Sequence, residues 1–251
     1  MSDDSIKNKS SVKVFRVLEC FKVKPSLGIT EISEMTGMNK SNVHDYLTTL
    51  VTLGYARQDS ESGKYSLGYK ILDLSYALTS SMRFRREVYP TMQRLANGTG
   101  ETVYYAIPDG DEVLYLDAAY PTAHMQTPRS LLGERAEMYC TGIGKAILSQ
   151  YSDERRLEVL KGPFKSYTPH TLTTLEDILR DVEETRRRNY AIDNMEHEYG
   201  IKCVAMPICN SRGEVVAAIS VSGPSLRFTE QKIAEIVGCL IVATEEIRYF
   251  Y

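Results

Sequence analysis

The sequence is poor in the features that mark several large classes of protein. No apolar run approaches the ~18 residues needed to cross a bilayer, and the first ten residues, MSDDSIKNKS, lack the apolar core of a secretory signal. Both absences lead to the expectation of a cytoplasmic protein without a membrane partner. The five cysteines, Cys20, Cys140, Cys203, Cys209 and Cys239, are odd in number and contain no Cys-x-x-Cys pair. That argues against a disulfide framework and a zinc clip, leaving reduced and mostly buried thiols. Strong charge is lacking too: a net charge of -3 disfavours a generic nucleic-acid binder. The balance is uneven, however, with 10 Lys+Arg against 8 Asp+Glu in residues 1–70 and 20 against 25 in the rest. A slightly basic module joined to an acidic one suits a protein that touches phosphates with one end only.

What is present is enough for about two domains, each with its own core, in 251 residues of ordinary soluble composition. Val14, Val17, Leu18 and Phe21 mark a first helix, ended by the loop at 24–28. Thr30 is positioned to cap a short second helix, EISEMTG, with Gly37 as its stop. The stretch NKSNVHDYLTTLVTLGY then has apolar residues at Val43, Leu47, Leu50 and Val51, the spacing of one buried helical face. Next, YARQDSESGKYSLG reads as two short strands about a polar turn. Three helices followed by a hairpin form a winged helix-turn-helix.

Residues 69–97 return to a helical pattern, and Pro90 divides them into a linker helix and a second helix. TVYYAIPDGDEVLYLDAA is the clearest hairpin, with Pro108-Asp109-Gly110 between alternating runs. Helices are expected over 142–150, 153–161 and 175–189, the last with Thr173 and Glu176 at capping-box spacing. Strands follow at 203–209 and 215–223, and a long helix starts at Glu230. The fold class is therefore α+β, with one mainly antiparallel sheet and helices packed on it.

In a helix-turn-helix the first residues of the second motif helix meet base edges, while the wing holds phosphates. Lys40, Ser41, Asn42 and His44 stand at that position, and Arg57 and Lys64 are candidates for backbone contact. Asn can pair with adenine and Lys can approach guanine or phosphate. A merely solvated helix face is the alternative, and the helix-helix-helix-wing order weighs against it.

These segments together resemble the isocitrate lyase regulator (IclR) family of bacterial transcription factors. ITEISEMTGMNKSNVHDYLTTLVTLGYARQDSESGKYSLG is similar to its N-terminal domain, and YCTGIGKAIL, YAIDNMEHEYGIKCVAMPI and GEVVAAISVSGP to its second domain. The resemblance implies a flexible tail over 1–10, a winged helix-turn-helix over 11–69, a linker helix over 70–82, and a GAF-like effector-binding and oligomerisation domain over 83–251. It also implies homodimers or dimers of dimers on a palindromic double-stranded operator, with no cofactor. Asp45 departs from the family, whose members often have Arg there. A carboxylate at that position faces cytosine, caps the helix, or leaves the operator to be read by its neighbours.

TGIGKA invites a phosphate-loop reading, but a Walker A motif requires Gly at Tyr139 and Ser or Thr at Ala146. The use that survives is binding of a small carboxylate by the backbone N–H groups of Gly142, Ile143 and Gly144 at a helix start. Ser220 and Ser222 are two apart on a strand and point to one side of the sheet. By resemblance, they join Asp193, Cys203 and the Gly142 turn in an effector pocket for small organic acids. The bland alternatives are a turn cap for Asp193, plain core for Cys203 and local backbone bonding for the serines. An ionised Asp193 favours a hydroxylated or keto acid, such as a sugar-acid catabolite, with its hydroxyl towards Asp193. Asp193, His197 and Cys203 also invite comparison with a nucleophile-base-orienter set or a metal site, without a recognisable spacing. A domain used only for assembly is the remaining alternative.

Overall fold

Asn8 starts the first helix: its Oδ1 accepts the N–H groups of Ser10 and Ser11, two donors that the helix itself leaves unpaired. The structure is a computed structural model that describes residues 8–81, 86–123 and 132–251. It divides into two compact units, Met1–Met82 and Arg83–Tyr251.

The first unit runs α1 (Lys9–Val23), α2 (Ile29–Thr36), α3 (Lys40–Thr52), β1 (Ala56–Gln58), β2 (Tyr65–Leu67) and α4 (Lys70–Ser81). Val17, Phe21, Leu27, Ile32, Val43, Leu47 and Leu50 form its core, closed by Ala56 and Tyr65 of the two-stranded wing. The helical periodicity of α3 is realised except at Val51, which is 37% exposed, while Val43 and Leu47 are fully buried. Asn39 caps α3 by accepting the Asn42 N–H at 2.8 Å, so Asp45, well inside the helix, has no capping role. Helix α2 is not capped by Thr30. Gly28 is its N-cap, and the Glu31 carboxylate reaches back to the Gly28 N–H at 2.8 Å.

The second unit runs α5 (Tyr89–Thr99), β3 (Thr102–Asp109), β4 (Glu112–Ala119), β5 (Arg135–Glu137), α6 (Gly142–Gln150), α7 (Asp153–Val159), α8 (Leu175–Arg188), β6 (Ala191–Asn194), β7 (Ile201–Cys209), β8 (Val215–Pro224) and α9 (Glu230–Arg248). Pro90 lies in the first turn of α5, where its missing N–H costs nothing. The six strands form one sheet in the order β5-β4-β3-β8-β7-β6, and every neighbouring pair is antiparallel. Helix α6 packs on β7 and β8, with α8 beside it, while α9 packs against β7 and α5.

Strands β5 and β6 are additions to the expected pattern: three and four residues are too few for alternation to be visible. The N-cap of α8 sits one residue later than the sequence signature places it, and the reciprocal bond of a capping box is not made among the described residues. Thr174 Oγ1, not Thr173, accepts the Asp177 N–H and also bonds the Asp177 carboxylate.

Candidate functional site

Antiparallel register puts the polar residues of four strands into one row. Asp193 on β6 is the direct partner of Cys203 on β7, which is the partner of Ser222 on β8, itself opposite Thr102 on β3. Two residues along, Ala205 pairs with Ser220 and Ser220 with Tyr104. Because side chains two apart share a face, both rows face the same side of the sheet. A cavity of about 910 Å³ opens there, lined by Asp193, Cys203, Ser220 and Ser222.

The start of α6 lies against these rows. An added Cβ on Gly142 would stand 2.8 Å from Cys203 Sγ and 3.5 Å from the Ala205 Cβ, so only glycine lets the helix approach this closely. Thr141, Gly142 and Ile143 line the cavity. As first-turn residues, Gly142 and Ile143 have no intrahelical acceptor for their N–H groups. Gly144 has a different job from the one its sequence position suggested. Its N–H is given to Thr141 Oγ1 at 3.1 Å, it does not line the cavity, and a Cβ on it would lie 2.3 Å from Met138 Cα. It is a packing glycine, and two N–H groups rather than three remain for an anion.

Asp193 is 6% exposed, and burial raises its carboxyl to about 7 against the pull of N–H groups from Glu196 and His197 and of Lys145. Its Oδ1 accepts the Glu196 N–H at 2.7 Å. Glu196 in turn pairs with Lys145 Nζ at 2.5 Å, and Lys145 also meets Asp181 at 2.7 Å. Lys145 is completely buried, and the two carboxylates hold its ammonium charged despite desolvation. The sequence contained a signal for this triad: a lone cation in the apolar run GIGKAIL needs buried partners.

Other lining residues come from distant segments. Tyr167 donates to Glu137, Arg227 pairs with Glu101 through two bonds of 2.6 and 2.5 Å, and Arg135 pairs with Asp109. His197 lines the same cavity with its ring 5.4 Å from that of Tyr167. Burial, followed by the neighbouring Asp193, pushes the Cys203 thiol up to about 12, so at neutral pH it carries no thiolate to act as nucleophile. No group of metal-ligating side chains occurs among the described residues, and His124 lies outside them.

In the first unit, Lys40, Ser41 and His44 are exposed and Asn42 is half-buried, all in the first turns of α3. Asp45 is exposed beside His44, with Oδ1 3.6 Å from His44 Nδ1. Lys64 is half-buried on the wing, 3.8 Å from Glu31. Arg57, expected as a backbone contact, is engaged within the protein: it donates to Ser66 Oγ at 2.9 Å and to Tyr69 Oη at 3.1 Å.

Each of the two units matches known proteins. Residues 10–60 match the IclR helix-turn-helix domain, and residues 76–249 match the family described as bacterial transcriptional regulator IclR C-terminal. The chain is 34% identical over 239 residues to the HTH-type transcriptional regulator KdgR of Escherichia coli K12, covering 95% of this chain and 90% of that protein. It is similar to the crystal structure of Thermotoga maritima IclR, with a TM-score of 0.72 at 32% identity over 96% of this chain and 97% of the other. An IclR homolog from Microbacterium hydrocarbonoxydans, solved with 4-hydroxybenzoate, shares the fold with a TM-score of 0.78 at 24% identity, over 96% of this chain and all of the other. The relatives are regulators rather than enzymes, and the chain belongs to the IclR family of DNA-binding bacterial transcriptional regulators.

Proposed function

We propose that this regulator is controlled by a small hydroxylated or keto monocarboxylic acid, such as a sugar acid, held in the cavity of its second unit. One observation carries the reading. Gly142 and Ile143, at the start of α6, line a single polar cavity together with Asp193, Cys203, Ser220 and Ser222. The effector carboxylate sits at Gly142 and Ile143, where the helix dipole favours negative charge. Ser220 and Ser222 bond it from the sheet, and its hydroxyl or keto oxygen faces Asp193. With Asp193 near half protonation at neutral pH, that carboxyl accepts from a hydroxyl when ionised and donates to an oxygen when protonated. The relative from Microbacterium hydrocarbonoxydans was solved with 4-hydroxybenzoate, itself a hydroxylated monocarboxylic acid.

The first unit reads a palindromic operator through Lys40, Ser41, Asn42 and His44 in the major groove, with Lys64 on phosphate. A palindrome requires two heads. Leu72, Leu74, Tyr76 and Leu78 of α4 are each more than half exposed, and pairing with a second copy would bury them. Effector binding then shifts the placement of the two heads through the linker helix. The protein acts in the cytoplasm without cofactor or metal.

A thermal-shift screen of sugar, keto and aromatic acids tests the effector reading. At least one acid raises the melting temperature of the wild-type protein, and the Ser220→Ala/Ser222→Ala double variant loses that response. A protein that responds to none of them has a second domain used for assembly alone.

A further inference from the structure

Arg57 does not stand on the wing as a free cation. Its ladder partner across the hairpin is Ser66, whose Oγ accepts from Nε at 2.9 Å. One terminal nitrogen donates to Tyr69 Oη at 3.1 Å, and the guanidinium carbon lies 5.0 Å from the centre of the Tyr69 ring. Tyr69 immediately precedes α4. A second contact of the same kind runs the other way: Lys70 Nζ, in the first turn of α4, lies 5.0 Å from the ring of Tyr55 at the end of the reading-helix segment.

Between these two contacts the backbone is crossed tightly. The Gly68 N–H donates to the Tyr55 carbonyl at 2.8 Å, and a Cβ on Gly68 would come within 2.1 Å of the Gly54 oxygen. Three segments thus meet at one corner of the first unit: the exit of α3, the closing strand of the wing and the entry to α4. Exposed Lys40 has no comparable protein partner among the described residues, and Lys64 has only a 3.8 Å ion contact.

We propose that Arg57 is a positioning residue that latches the wing to the start of the linker helix, and that it is not a phosphate contact. The reading helix, the wing and the first turn of α4 then move as one body, so a displacement of the linker reorients the DNA-reading surface instead of dissipating at Gly68. The proposal rests on the reading that the first unit binds DNA.

Full-length protein is titrated by fluorescence anisotropy with a labelled mixed-sequence 40-bp duplex between 50 and 200 mM KCl. A lost phosphate contact lowers the slope of log K against log salt by about 0.9 per contact, which is the expectation for Lys64→Gln. For Arg57→Gln the slope stays at the wild-type value while affinity falls several-fold, and Arg57→Lys, which retains a cation over the ring, recovers part of the loss. Hydrogen exchange of the peptide spanning residues 66–72 accelerates several-fold in Arg57→Gln and Tyr69→Leu, and less in Tyr69→Phe. A reduced slope in Arg57→Gln, or exchange in 66–72 unchanged in Arg57→Gln and Tyr69→Leu, overturns the latch. If the wild-type protein fails to bind the duplex, the DNA reading falls, and the exchange measurement still decides whether the latch exists.

Discussion

Asp193 and Glu196 are joined through the backbone: the Asp193 carboxylate accepts the Glu196 N–H at 2.7 Å, while the Glu196 side chain reaches the fully buried Lys145. Asp193 therefore has one face on the cavity and the other on a buried ionic cluster, and its protonation bears on both binding and stability.

The first prediction concerns pH. Asp193 titrates at about 7 in the folded protein, raised from 3.8 by burial. An anionic acid bound beside it gains when Asp193 is protonated and is repelled when Asp193 ionises, so its affinity falls about tenfold from pH 6 to pH 8. Stability has the same sign. Between these two pKa values the native state binds more protons than the unfolded chain, so this group's contribution declines as pH rises from roughly 4 to 7. Calorimetry and thermal melts of Asp193→Asn check both, because the amide removes the titration and flattens both profiles in this window.

A second prediction follows from the approach of α6 to β7. Gly142→Ala puts a methyl group 2.8 Å from Cys203 Sγ, which costs about 1–3 kcal/mol by overpacking and displaces the two free N–H groups. Cys203→Ala beside it makes room. Chemical denaturation is expected to show the double variant closer to wild type than the sum of the two single changes allows.

Lys145 gives the third. Lys145→Met leaves Glu196 and Asp181 facing each other without the ammonium and is expected to destabilise the protein by about 3–5 kcal/mol. Adding Glu196→Gln to that variant removes one of the stranded carboxylates. Urea denaturation then shows recovery of part of the loss.

Much of this architecture is legible in the sequence, and the failures have physical causes. Apolar spacing marks the helices because each buries one stripe, and Pro108-Asp109-Gly110 marks the β3-β4 hairpin, where Gly110 adopts a φ of +71°. Val51 fits the stripe but lies at the end of α3, beyond the core. Thr173 and Thr174 each have an acidic residue three positions on, so the capping signature could not choose between them. The cavity was legible where a motif carried it, at Gly142, Ile143, Asp193, Cys203, Ser220 and Ser222. Tyr167, Glu137 and Arg227 reach it only through tertiary folding, and no spacing announces them. Arg57 has a cation on the wing, but its bonds to Ser66 and to Tyr69, just before α4, are set by the hairpin register and the chain crossing, which no spacing announces.

Asp45 supplies the fourth prediction. It is exposed among the groups assigned to the major groove, with no residue pairing it beyond the 3.6 Å contact to His44 among the described residues. A carboxylate facing DNA repels phosphate, so Asp45→Arg strengthens binding to non-specific duplex and steepens its salt dependence. Unchanged anisotropy titrations would place Asp45 away from DNA.

One chain is expected to couple DNA binding to a small carboxylic acid. The most direct test of that coupling is binding of the full-length protein to the DNA upstream of its own gene, in moderate salt, with and without an acid that raises its melting temperature. Specific binding is expected, changed at least several-fold by the acid, with the change lost in the Ser220→Ala/Ser222→Ala variant. Failure to bind that DNA in either condition, or binding indifferent to the acid, would contradict it.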